Sequence, residues 1–166
     1  MSTGREIIAL PRTPHQLAEV RRRCREMVTR RAFASAGAML VPVPGLDIAA
    51  DVALLTQLIP AINYEFGLTP DQIERLAPRK KVLVYRAVVA FGGLMVGRVI
   101  TRELVLKALA TVGMRITAKS AARLVPIAGQ ALASAISFGA MRLVGEAHIR
   151  DCERVVLKLI EDEQAA

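Results

Sequence analysis

No tryptophan occurs in this chain of 166 residues, and phenylalanine and tyrosine together make up only 4% of it. Single-stranded nucleic acid is held largely by stacking its bases on aromatic rings. The shortage argues against nucleic acid as a partner, despite the basic charge described below. Cysteine is just as scarce. Cys24 and Cys152 cannot build a disulfide framework, and both fall at apolar positions of helical patterns, so two reduced, buried thiols are expected. The two histidines, His15 and His148, are isolated and read as surface or boundary residues rather than bases. No CxxC, HExxH or nucleophile-elbow pattern is present. The chain is therefore expected to be no enzyme and to hold no metal or cofactor. Met1 to Leu10 has no sustained apolar core and no cleavage signature, so no secretory signal is expected.

Long hydrophobic runs are also missing. The longest uncharged stretch, 124–141, has 18 residues and is interrupted by Pro126, Gly129 and several polar side chains. A straight transmembrane helix needs about 20 mostly apolar residues. The stretch fits better as a hairpin, buried in protein or dipping into one leaflet.

What the chain does have is small apolar mass and positive charge. It is 53% hydrophobic, mainly Ala, Val, Leu and Ile, with a mean hydropathy of +0.37. Its formal net charge is +8 and its pI near 10.3. Apolar plus basic suits the negatively charged face of a membrane.

The pattern is all-α, with one compact domain over 13–163 after a loose arm at 1–12. Leu40-Val41-Pro42-Val43-Pro44-Gly45-Leu46-Asp47 is echoed by Leu124-Val125-Pro126-Ile127-Ala128-Gly129. Proline resists helix interiors and glycine permits reversal. Pro42, Pro44 and Gly45, then Pro126 and Gly129, are thus expected to form the elbows of two helical hairpins. They imply a weak internal repeat of 32–66 and 116–150. Thr13-Pro14-His15-Gln16 and Thr69-Pro70-Asp71-Gln72 read as helix starts with capping boxes. Leu17, Val20, Cys24 and Met27 mark one helix face, and Val52, Leu55, Ile59, Ile62 and Phe66 another. Pro60 should kink the second helix, and Gly67 should end it. A helix from Arg79 carries Val82, Tyr85, Val88, Val89 and Leu94. Gly93 and Gly97 on it, four apart, suggest close helix packing, as do Ala131, Ala135 and Gly139 later. Thr101 is placed to cap a further helix that Gly113 should break or bend. Ile149, Cys152, Val156 and Leu159 face inward on the last one.

Two stretches carry weak hints of chemistry. Gly113 to Ser120 nearly spells a phosphate-binding loop, but Ala118 stands where glycine is needed and no strand precedes it. Asp47 and Asp51 share a helix face, yet no His or Cys lies nearby to complete a metal site. The arginine run says more. Arg21, Arg22, Arg23, Arg25, Arg30 and Arg31 directly precede the uncharged segment 32–46. That adjacency marks them as candidate contacts to an anionic membrane or an acidic partner.

Ala-Gly-Ala-Met-Leu-Val-Pro-Val-Pro-Gly-Leu-Asp, followed by an apolar helix ending Tyr64-Glu65-Phe66-Gly67, resembles the YcjF-type helical domain. Val125 to Gly129 and the small-residue helix after it are similar to the same family, so the resemblance spans roughly 30–145. It implies a bacterial domain of helical hairpins at the cytoplasmic face of the inner membrane, joined to or encoded beside a GTPase, with no established activity. This sequence itself shows no GTPase domain. The expectation is a non-enzymatic, membrane-associated helical interaction module, able to self-associate. A soluble adaptor docking on a protein such as a GTPase is the alternative, and a membrane-permeabilising protein a third class.

Overall fold

Leu17, Val20, Cys24 and Val28 recur every three or four positions along α1 (Pro14–Ala38), and all four are buried. A computed structural model describes residues 9–38, 46–93, 95–117 and 126–164. Among them lie six helices and no strand, so the chain is all-α: α1, α2 (Leu46–Glu65), α3 (Pro70–Glu74), α4 (Pro78–Phe91), α5 (Arg102–Thr117) and α6 (Pro126–Gln164).

Local chemistry sets the helix ends. Thr13 Oγ1 accepts from the Gln16 N–H at 3.2 Å, and Gln16 Oε1 accepts from the Arg12 N–H at 2.9 Å. This is the expected capping box with its return bond displaced by one residue. At α3 the box is complete, with Thr69 and Gln72 exchanging side-chain to backbone bonds. Thr101 Oγ1 accepts from the Leu104 N–H at 3.3 Å and opens α5. α2 closes at Gly67, whose φ of +72° only glycine adopts cheaply. The Leu68 N–H returns to the Asn63 carbonyl at 2.8 Å and the Gly67 N–H to that of Tyr64 at 3.1 Å, which satisfies two orphan carbonyls.

The core is a three-helix bundle. Arg21 meets Glu153, Arg25 meets Glu146 and Ser35 meets Ser137, so α1 and α6 run antiparallel. Arg23 meets Glu65 and Ser35 meets Asp51, so α1 and α2 also run antiparallel. Val52, Leu55, Leu58, Ile59 and Ile62 of α2 and Ile149, Cys152, Val155 and Val156 of α6 fill the space between. α4 and α5 pack on the outside of this bundle against α6, and α5 also touches α2.

Several expectations need correction. Pro126 is the first residue of α6, where its missing N–H costs nothing, and Gly129 lies in the helix that follows, so these two are no elbow. Residues 118–125, between α5 and α6, lie outside the described residues, as do Pro42, Pro44 and Gly45 of the first elbow. α5 runs through Gly113 without a break, which also excludes a phosphate-wrapping loop over 113–117. Gly93 and Gly97 do not pack helices. α4 has already ended at Phe91, and both take left-handed φ values, +60° and +68°, in the turn beyond it.

The small-residue ridge on α6 fails as well. Ala135 is exposed, a Cβ on Gly139 would meet nothing within 4 Å, and only the helical placement of Ala131 is described. The close approach is instead at Gly145, where a Cβ would stand 2.6 Å from Val28 Cγ2 of α1. Gly139 therefore carries the entropic penalty of a helical glycine with no packing reason. Gly139→Ala is expected to raise stability by about 0.5–1 kcal/mol in urea unfolding.

Candidate functional site

The arginine run is engaged within the molecule. Arg21 reaches Glu153 of α6 at 2.8 Å, Arg23 reaches Glu65 of α2 at 3.0 Å, and Arg25 reaches Glu146 of α6 at 3.1 Å. Arg22 pairs along its own helix with Glu19 at 2.6 Å and Glu26 at 2.5 Å, and its hydrogen bond holds the exposed Glu19 carboxyl below its usual range. Arg31 donates to Gln57 Oε1 at 3.0 Å. Only Arg30 of the six is exposed without a partner among the described residues. The run thus draws α1 onto α2 and α6 rather than presenting a free cationic face. Its partners lie up to 132 residues away in sequence, so nothing local announces them.

Two buried polar clusters sit inside the bundle. Ser35 and Ser137, with hydroxyls 2.6 Å apart, both donate to the Asp51 carboxylate, Ser137 at 2.8 Å to each oxygen. The companion Asp47 belongs to α2, and among the described residues no three His, Cys, Asp or Glu gather as metal ligands. Deeper in, Asn63 Oδ1 accepts from His148 Nε2 at 3.0 Å and from Cys152 Sγ at 3.6 Å, while Asn63 Nδ2 donates to the Met95 carbonyl at 3.1 Å. An amide oxygen only accepts, so the proton belongs on His148 Nε2. Nδ1 is then a buried acceptor without a partner.

His148 is not the boundary residue its isolation suggested. It is 1% exposed, and burial pulls its pKa down to about 4. Burial likewise pushes the Cys24 thiol up to about 12, and Cys152 well above its ordinary value. Neither thiol forms the reactive thiolate readily.

The exposed surface that stands out is on α4. Val84 and Ala87 turn into the core, leaving Arg79, Val82, Arg86 and Val89 on the outer face at spacings of 3, 4 and 3. Val82 is 51% exposed and Val89 88%. Phe91 at the end of the helix and Val99 in the following turn, 75% exposed, add apolar surface. Arg79, Arg86, Arg98 and Arg102 are all exposed, and none makes an ion pair among the described residues. The sequence pattern placed Val82, Tyr85 and Val89 on one apolar helix without saying which of them face the core. α4 has apolar residues on two faces, and the bundle takes only one. No helix among the described residues is long and apolar enough to cross a membrane.

These features define an all-α bundle whose outermost long helix shows an alternating basic and apolar stripe. No family model matches the chain, and no solved structure does. The chain is 28% identical over 156 residues to interferon-inducible GTPase 5 of Bos taurus, covering 89% of this chain and 33% of that protein. It is likewise 28% identical over 147 residues to interferon-inducible GTPase 5 of Rattus norvegicus, covering 84% of this chain and 31% of that protein. The chain spans about a third of the length of the curated relatives it matches.

Proposed function

We propose that this chain is a non-enzymatic helical interaction module that docks on an anionic membrane surface through the outer face of α4. The observation that carries this reading is the Arg79–Val82–Arg86–Val89 stripe, in which exposed valines alternate with arginines that have no ion-pair partner among the described residues. Such a face can lay its valines against the headgroup boundary while its guanidiniums meet lipid phosphates. The test is flotation with phosphatidylserine-containing and neutral phosphatidylcholine vesicles at low salt. Binding is expected only to the anionic ones. Each cation near the surface contributes about 1 kcal/mol, so Arg79→Gln with Arg86→Gln should weaken binding roughly thirtyfold. Arg21→Gln with Arg23→Gln should weaken it far less and instead lower stability by up to about 1–2 kcal/mol, the worth of two partly exposed pairs. The reverse pattern would return the membrane contact to α1.

The likeness to part of a GTPase favours a second reading, in which the chain works beside a GTP-binding domain. A GTP-binding domain needs a strand, a glycine-rich loop and a helix, and this sequence offers only the imperfect stretch at 113–120. The chain would then supply the helical partner, as the resemblance to the YcjF-type domain also implies. A purified GTPase from the same cells whose hydrolysis rate changes on adding this chain, with no vesicle binding, would replace the membrane reading with this one.

A further inference from the structure

Residues 9–12 cross over the C-terminal end of α2 so closely that a Cβ on Gly67 would stand 2.9 Å from the Leu10 nitrogen. Beneath this strap lies a cavity of about 180 Å³, walled by Leu76 in the turn after α3, Leu83 and Val84 of α4, and Leu159 and Ile160 of α6. Its lining mixes exposed Ala9, Arg12, Arg75 and Glu163 with buried Pro11, Val84 and Ile160, so it is a pocket that opens to solvent. A slightly smaller engineered cavity, about 150 Å³, holds benzene. The charges lining the space are uneven. Glu163 is neutralised by Lys80 at 2.6 Å. Arg12 and Arg75, also in the lining, are exposed and make no ion pair among the described residues.

We infer that this cavity is a binding site for a small amphiphilic anion, with a short apolar body among the leucines and its head at Arg12 and Arg75. The walls select the body because they offer it contact area and few hydrogen bonds. The arginines select the head because two unpaired guanidiniums match a carboxylate or a phosphate monoester. The site is distinct from the outer face of α4, since its wall residue Val84 is buried on the side of that helix turned away from Val82 and Val89.

The experiment titrates the full chain with hexanoate, hexyl phosphate, hexylammonium and acetate, reading the methyl NMR signals of Leu10, Leu76, Leu83 and Leu159. Saturable shifts are expected with one or both hexyl anions, and the tighter of the two identifies the head. Acetate, lacking the body, and hexylammonium, with the wrong charge, should give none. Leu83→Trp, which fills the space, should abolish the shifts at the other three leucines. Arg12→Gln with Arg75→Gln alters only exposed side chains, so it reports even if the tryptophan variant does not fold, and should weaken binding about tenfold or more. Absence of saturable shifts with both anions overturns the site. So does equal binding of hexylammonium, or binding indifferent to the arginine pair.

Discussion

Gly145→Val is expected to lower the melting temperature by roughly 5–10 °C, corresponding to about 2–3 kcal/mol for a domain of this size. Gly145 is buried at the crossing of α1 and α6, and a Cβ there would lie 2.6 and 2.7 Å from the two γ-carbons of Val28. Such contacts do not occur in real structures, and Val28 cannot swing aside. Its side chain is short and β-branched, so its rotamer in a helix is nearly fixed, and it is 0% exposed. The helices must separate, and with them the Arg21–Glu153 and Arg25–Glu146 pairs that flank the contact. The clash can be separated from the helix propensity of glycine. Gly145→Ala alone should destabilise although alanine is the better helix former. Combined with Val28→Ala it should cost less than the sum of the two single changes, because the remaining approach, 3.3 Å to the Val28 β-carbon, is tight but tolerable. Thermal unfolding by circular dichroism checks both, and strict additivity would remove Gly145 from the interface.

The same glycine shows where the sequence could be read and where it could not. The core stripes of α1, α2 and α6 were legible because burial on one side of a helix leaves a period of 3 to 4: Val52, Leu55, Ile59, Ile62 and Phe66 are all buried. Val28 rather than Met27 completes the α1 stripe, a shift of one residue. Caps were legible because Thr13, Thr69 and Thr101 act on neighbours three residues away. Glycines were not, because their sequence spacing does not reveal their φ. Gly93 and Gly97 share the spacing of a helix-packing motif yet sit in a turn with positive φ, while Gly145, with no such spacing, marks the real contact. Proline misled for a related reason, since its missing N–H is compatible with a reversal and with the first residue of a helix alike, and at Pro126 the chain uses the second. The candidate site was hidden by excess. α4 carries more valine than one buried face needs, and no local pattern tells Val84, which is buried, from Val89, which is not. The arginines of α1 were conspicuous in sequence, but their partners Glu65, Glu146 and Glu153 become neighbours only once the bundle has closed.

Acidification should weaken the fold before most carboxylates titrate, and His148 is the reason. The unfolded chain takes up a proton on this side chain near pH 6.5, its ordinary value, whereas burial lowers the folded value to about 4. Between those two pH values the unfolded state binds more protons, so stability falls as pH falls through this window and is fully retained above it. The total loss by pH 4 is about 3 kcal/mol, a sizeable part of a typical stability of about 5–15 kcal/mol. The neighbours of the ring offer a positive charge nothing. Asn63 is neutral, and Cys152 keeps its proton because burial holds its pKa high. The unpartnered Nδ1 is the atom that would have to accept the proton, in a place with no acceptor waiting for it. Urea midpoints measured from pH 7.5 to 4.5 should therefore decline from about pH 6.5 downward. His148→Gln, which retains an amide able to donate to Asn63 but cannot titrate, should start from a lower stability and lose the decline. If the glutamine variant keeps the same slope between pH 6.5 and 5, the acid sensitivity belongs to other groups and the protonation of His148 is not what opens the bundle.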